Sequence, residues 1–176
     1  MVLANGMVFE GSGFGSEGCV IGETVFTTGM NGYIETLTDP SYYGQIVTQT
    51  FPLIGNYGDI AKDHESARCN LKGYIVREWC DEPSNFRCGG DVDSYLRSEN
   101  IIGLYDIDTR RLTKVLREAG VMNGMIISGS SKEAVEAALA NTTLQEAKDA
   151  VKNSSEKKYF LISLRFHRKI FRLSQA

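Results

Sequence analysis

From Gly29 to Gly58 the chain reads GMNGYIETLTDPSYYGQIVTQTFPLIGNYG, and no other stretch restricts the fold as much. Asn31-Gly32 supplies the positive-φ positions of a tight turn, and Asp39-Pro40 pre-sets a second, with the Asp39 carboxylate placed to accept backbone N–H groups. Between the turns the chain is expected to be short and extended. Ile46, Thr48 and Thr50 would then face one way and Val47, Gln49 and Phe51 the other, which describes a strand covered on both sides. Phe51-Pro52 closes that strand.

The rest of the chain supplies cover for such a strand. Val2 to Phe9, split by Asn5-Gly6, reads as a β-hairpin. Gly13-Phe14-Gly15-Ser16-Glu17-Gly18 matches a dinucleotide-binding glycine pattern, but that pattern has to open a helix. Here Cys19 to Phe26 follows with strand character, so the glycines read as a loop between strands. Gly55 to Asn70 is polar and lacks periodicity, as a surface loop does, and Leu71 to Trp79 reads as one strand. Asp81 to Gly90 is a second loop. Asp91 is placed to cap a short helix carrying Val92, Tyr95 and Leu96 on one face, and Ile101 to Asp106 is the next strand.

The clearest helix spans Thr109 to Ala119. Asp108 or Thr109 caps it, Leu112, Val115, Leu116 and Ala119 form its apolar stripe, and Gly120 sits at the C′ position. Val121 to Ser128 returns as a strand. Ser130 with Glu133, and Thr143 with Glu146, form capping boxes for two further helices, through Ala140 and Val151. Strands first, then alternating strands and helices, specify an α/β domain with a mixed sheet over residues 1–153. Residues 154–176 form an atypical basic and apolar tail, with Lys157, Lys158, Arg165, Arg168, Lys169 and Arg172 against Glu156 alone. Its spacing fits either a strand or a helix.

Three further blocks join Gly29–Gly58 in resembling one family. They are Pro83-Ser84-Asn85-Phe86-Arg87, Asp108-Thr109-Arg110-Arg111-Leu112-Thr113, and Gly120 with Asn123-Gly124. Together they resemble the amino-terminal domain of the small subunit of glutamine-dependent carbamoyl phosphate synthetase, over roughly residues 1 to 150. The resemblance implies a single three-layer β/β/α domain. It also implies an assembly in which a carboxy-terminal domain of the small subunit hydrolyses glutamine at a Cys-His-Glu site. Ammonia then passes to a large subunit, where ATP and bicarbonate bind. On this reading the chain carries no cofactor of its own, its partners are the large subunit and the glutaminase domain, and it works in the cytoplasm. Its pathway is pyrimidine or arginine synthesis.

The chemistry visible in the residues is sparse. A nucleophilic cysteine needs a tight turn that exposes sulfur and a histidine that holds the thiolate. Cys19, Cys69, Cys80 and Cys88 stand in no such elbow, so they read as reduced, mostly buried thiols. The chain is therefore expected to be a truncated amino-terminal domain that docks without catalysing, its tail arising from a frameshift, an alternative exon or a gene fragment. The serine of Thr-Asp-Pro-Ser-Tyr in the family reaches toward the glutamine site, and its match here is Ser41. The alternative is that Ser41 only satisfies the backbone of its own turn. Tyr33, Tyr42 and Tyr43 are docking candidates or core residues. Arg110, Arg111, Lys114 and Arg117 give a basic helix face, either solvated or contacting the large subunit. Asp108 reads as a helix cap and Asp106 as a turn residue rather than as a carboxylate pair.

Other functions fare less well. His64 lies in a polar loop and reads as solvated, so a hydrolase built on Cys69 and His64 rests on spacing alone. With four scattered cysteines and two histidines, no metal site is expected. Net charge is −3 and the basic residues of the tail leave the remaining body acidic, which opposes a nucleic-acid footprint. No run approaches the roughly 20 apolar residues that cross a membrane. The first ten residues lack the basic start and apolar run of a secretory signal.

Overall fold

Alternation within Ile46–Gln49 sets the layers of the molecule. The computed structural model describes residues 1–120 and 122–129. In it this segment is strand β4 (Ile46–Gln49), buried at every position. Ile46 enters one hydrophobic cluster and Val47 the other, as the two-sided pattern requires. Fully burying each such side chain contributes about 1.5–3 kcal/mol.

Around β4 runs a seven-stranded mixed sheet in the order β1-β9-β3-β4-β6-β8-β2. Its members are β1 (Val2–Leu3), β2 (Ser12–Gly15), β3 (Gly18–Thr27), β6 (Gly73–Ile75), β8 (Ile102–Tyr105) and β9 (Met122–Ser128). Strands β3, β4, β6 and β8 are mutually parallel, while β9 and β2 run antiparallel to their neighbours. Helices α1 (Tyr33–Thr38) and α2 (Val92–Ser98) cover one face through Ile34, Leu37, Val92 and Leu96. Helix α3 (Thr109–Ala119) covers the other through Leu112 and Leu116. A small parallel pair, β5 (Leu53–Ile54) and β7 (Glu78–Trp79), stands apart. The domain is α/β with a mixed sheet, consistent with three layers.

Local chemistry accounts for the elements the sequence announced. Asp91 Oδ1 accepts from the Ser94 amide at 2.8 Å and Asp108 Oδ1 from the Arg111 amide at 2.9 Å, so both helices start at side-chain caps. Gly120 ends α3 at φ 78°, donating its N–H to Leu116 O at 2.9 Å. Asp106 turns the chain at φ 61° after β8. The amino-terminal hairpin is present, with Gly6 at φ 85° and its N–H on Leu3 O at 2.8 Å. No helix opens at Gly18, where β3 begins instead, but the glycines are not the loop expected: Gly13 and Gly15 belong to β2 itself, leaving Ser16 and Glu17 alone between the strands.

Three further expectations need correction. The chain between Gly32 and Asp39 is helical, because Ile34 and Leu37, one turn apart, both find the core. Leu71 to Trp79 is two strands in different sheets. Past Ile75, Val76 N–H still reaches Leu104 O at 2.9 Å, but Glu78 and Cys80 donate to Pro52 O and Ile54 O at 2.9 and 2.7 Å. The 55–70 loop is also less superficial than its polarity implies, since Ile60 and Cys69 are buried. The two helices expected through Ala140 and Val151, and the 154–176 tail, lie outside the described residues.

Candidate functional site

The turn that follows α1 presents Ser41. Residues Pro40–Tyr42 form a single 3-10 turn, with proline at its first position and Asp39 before it. Asp39 Oδ1 accepts the Ser41 amide at 2.8 Å, which satisfies the turn's backbone without the serine hydroxyl. Ser41 is exposed, and its hydroxyl has no protein partner among the described residues. The alternative role for Ser41, closing its own turn, is thereby filled by Asp39.

That turn is held from both sides by residues remote in sequence. Helix α1 has only six residues and no side-chain cap, since Gly32 occupies the N-cap at φ 77°. The Tyr57 hydroxyl caps it instead, accepting from the Gly32 and Tyr33 amides at 3.1 and 3.2 Å. Tyr33 reciprocates: its hydroxyl donates to Gly58 O at 2.9 Å and accepts from the Tyr57 amide at 3.3 Å. The two rings stack with centroids 4.1 Å apart. Burial pushes both phenols above their ordinary range. At the far end of α1, Thr38 is fully buried. Its hydroxyl donates to Ile34 O at 2.8 Å and accepts from the Glu65 amide at 2.9 Å. Its carbonyl accepts from Ser66 Oγ at 2.6 Å and Asn70 Nδ2 at 2.8 Å.

A second loop packs beside the first. Ser84 N–H donates to Asn56 O at 3.0 Å, and Asp59 and the 89–90 segment exchange backbone bonds at 2.7 and 2.8 Å. Arg87 pairs with Asp63. Asn85 Oδ1 accepts the Arg87 amide at 2.8 Å, and Phe86 between them is 98% exposed.

The remaining candidate residues do not gather at Ser41. Tyr33 is 2% exposed, so of its two readings the structure places it in the core. Tyr42 is half-buried against the α1–α2 cluster, and Tyr43 is 81% exposed. On α3, Arg110, Arg111, Lys114 and Arg117 are all exposed. Arg111 lies over the Phe9 ring at 5.4 Å, whereas Arg110 and Arg117 make no ion pair among the described residues.

His64 is only partly solvated, where full solvation was expected. Its Nε2 lies 2.6 Å from Asp59 Oδ1, and its ring meets Tyr95 edge-on at 5.3 Å. Cys69 makes no hydrogen bond to it. Burial instead pushes the Cys69 thiol up to about 11, and Cys19 up to about 12 by the same cause. Both shifts oppose thiolate formation at neutral pH, which removes the support for a Cys69–His64 nucleophile. Among the described residues no group of three or more His, Cys, Asp or Glu is placed to hold a metal ion. None of their helices is long and apolar enough to cross a membrane.

Sequence reasoning missed Tyr57, Thr38 and Asn70. Each acts through bonds that span 24 to 32 residues, so no local signal marks them.

Comparison with known proteins locates the domain. A carbamoyl phosphate synthase small chain of Clostridium perfringens is 48% identical over 157 residues, 89% of this chain and 42% of that protein. A carbamoyl phosphate synthase pyrimidine-specific small chain of Bacillus subtilis is 53% identical over 139 residues, 79% of this chain and 38% of its own. One from Thermosynechococcus vestitus is 52% identical over 126 residues, 72% of this chain and 33% of its own. The chain thus spans less than half the length of these relatives. Residues 1–126 match the model of the carbamoyl-phosphate synthase small chain, CPSase domain, and the chain belongs to that family.

Proposed function

We propose that this chain serves as the amino-terminal domain of the small subunit of a glutamine-dependent carbamoyl phosphate synthetase. It docks the small subunit onto the large one and lends one hydroxyl, that of Ser41, to a glutamine site whose nucleophile lies in a separate glutaminase domain. The observation that carries this reading is the Asp39 turn. The carboxylate takes the Ser41 N–H, which leaves the hydroxyl of this exposed residue without a protein partner among the described residues, with a donor and an acceptor to offer. Glutamine's side-chain amide and α-carboxylate can use both.

The family match supports the reading, as do the thiols, which are buried or set outside any elbow. ATP and bicarbonate bind the large subunit on this view, and the assembly is cytoplasmic. Docking falls to half-buried Tyr42 at the edge of the core and to the exposed Arg110, Arg111 and Arg117 of α3.

The test mixes this chain with a carbamoyl phosphate synthetase large subunit and compares nitrogen donors. The expected outcome is co-purification, ammonia-dependent synthesis, and no glutamine-dependent synthesis. Failure to co-purify at low and moderate salt overturns docking. Glutamine-dependent synthesis overturns the assignment of the nucleophile to another domain.

A further inference from the structure

Both ends of the turn that carries Ser41 converge on one residue, Asn70. Its amide N–H donates to Leu37 O at 3.1 Å, just before the turn, and its carbonyl accepts the Gly44 N–H at 3.1 Å, just after it. Its side-chain Nδ2 donates to Thr38 O and to Ser66 Oγ, both at 2.8 Å. Ser66 Oγ in turn donates to the same Thr38 carbonyl at 2.6 Å. The 38–44 segment is therefore a short bridge with both abutments on Asn70, and Ser41 stands at its centre. Lys72 N–H on Gln45 O at 2.8 Å continues the attachment into β4.

From this geometry we infer that Asn70 is the positioning residue for the Ser41 hydroxyl, acting through the Thr38 carbonyl on the glutamine site assigned above. It rests on that reading and adds the group that fixes where the hydroxyl points. Asp39 closes the turn internally, but it travels with the turn. Backbone bonds to Leu37 O and from Gly44, with the Glu65 amide on Thr38 Oγ1, hold the turn near β6, and the Asn70 and Ser66 side chains alone grip the Thr38 carbonyl among the described residues, so losing them leaves the turn formed and loosens its direction. A hydroxyl that contributes to binding by one hydrogen bond loses that contribution when displaced by about an ångström.

The experiment places this sequence before the carboxy-terminal domain of the Clostridium perfringens relative, assembled with that organism's large subunit. Kinetics with glutamine and with ammonia are measured for the parent, Ser41→Ala, Asn70→Leu, Ser66→Ala and the Ser41→Ala/Asn70→Leu pair. Asn70→Leu keeps both backbone bonds and the side chain's size but removes the donor. The expected result is a rise in glutamine KM of about 3- to 10-fold, the value of one hydrogen bond. Ammonia-dependent kcat should be unchanged, and the double variant should show no further rise over Ser41→Ala. Ser66→Ala should move KM in the same direction by less, and it decides the matter if Asn70→Leu fails to assemble.

A lowered melting temperature with glutamine KM within twofold of the parent would mean Asn70 is merely structural, and the inference falls. Additive effects in the double variant also overturn it. If Ser41→Ala itself leaves glutamine KM unchanged, the assignment of Ser41 fails and takes this inference with it.

Discussion

Replacing Tyr57 by phenylalanine isolates the device that starts α1. The ring and its stacking on Tyr33 remain, and only the hydroxyl goes. Two amides, those of Gly32 and Tyr33, then lose their acceptor in a partly buried setting. An unsatisfied buried donor costs about 1–3 kcal/mol. Some water access lowers that figure for each, so the pair should cost about 2–3 kcal/mol. The helix has no side-chain cap in reserve. Tyr74→Phe provides the control, because the Tyr74 hydroxyl is fully buried and has no partner among the described residues. Removing it relieves a desolvated polar group, so the change should be neutral or stabilising by up to about 1 kcal/mol. Urea unfolding measures both, followed by far-UV circular dichroism and by fluorescence of the single tryptophan, Trp79, which stacks on Phe14. With a urea slope of about 2 kcal/mol/M, Tyr57→Phe should lower the midpoint by roughly 1–1.5 M. Equal midpoints for the two variants, or a Tyr57→Phe effect under about 0.5 kcal/mol, would refute the capping argument.

Further consequences concern glycines and thiols. Gly58 has φ +71°, and a Cβ there would lie 2.2 Å from Cys88 Sγ and 2.6 Å from Gly90 O. Gly120 has φ +78° and open space. Gly58→Ala should therefore cost about 3 kcal/mol or more and Gly120→Ala only about 1 kcal/mol, read from thermal melts. Cys80 and Cys88 should react with a thiol reagent at pH 8 well before buried Cys19 and Cys69, as peptide mapping of the labelled chain would reveal. Because folding raises the Cys19 and Cys69 pKa values above their ordinary 9.0, the unfolded chain loses those protons first. Stability is thus intact below pH 9 and falls as pH rises from there toward 11, at about 1.4 kcal/mol per unit for each thiol. Cys19→Ala should flatten the decline between pH 9 and 10, and an unchanged slope would contradict the assignment.

What could be read from the residues depended on how far each element's supports lie along the chain. Helix α3 carries its own: the Asp108 cap, a four-residue apolar stripe and Gly120 all fall within thirteen residues, and its bounds were legible to the residue. Strand β4 was legible for a similar reason, since period-two burial is written in consecutive side chains. Helix α1 was not. It holds two threonines, whose hydroxyls bond back to Gly32 O and Ile34 O at 3.0 and 2.8 Å, and it is too short to show a period. Its cap arrives from Tyr57, and a sequence window cannot contain that. The break between β6 and β7 was hidden likewise, because the choice to leave Leu104 for Pro52 is made by tertiary pairing. Ser41 was found only because its neighbours resemble a family.

The same distribution of supports bears on function. A domain that lends one hydroxyl to a site elsewhere needs rigidity at that point and has no use for a reactive group of its own. The shifted side chains agree with that requirement. Burial moves the Cys19 and Cys69 thiols and the Tyr33, Tyr57, Tyr74 and Tyr95 phenols away from their reactive, ionised forms. Meanwhile the hydrogen bonds cluster where no regular element supplies order: at both ends of α1, around the Asp39 turn, and between the 55–59 and 84–90 loops. Regular structure is sparse between Thr50 and Lys72, and there side-chain-to-backbone bonds join the ladder as a source of order. In the neighbouring turn Asp39 takes the Ser41 amide, which leaves the Ser41 hydroxyl without a protein partner among the described residues.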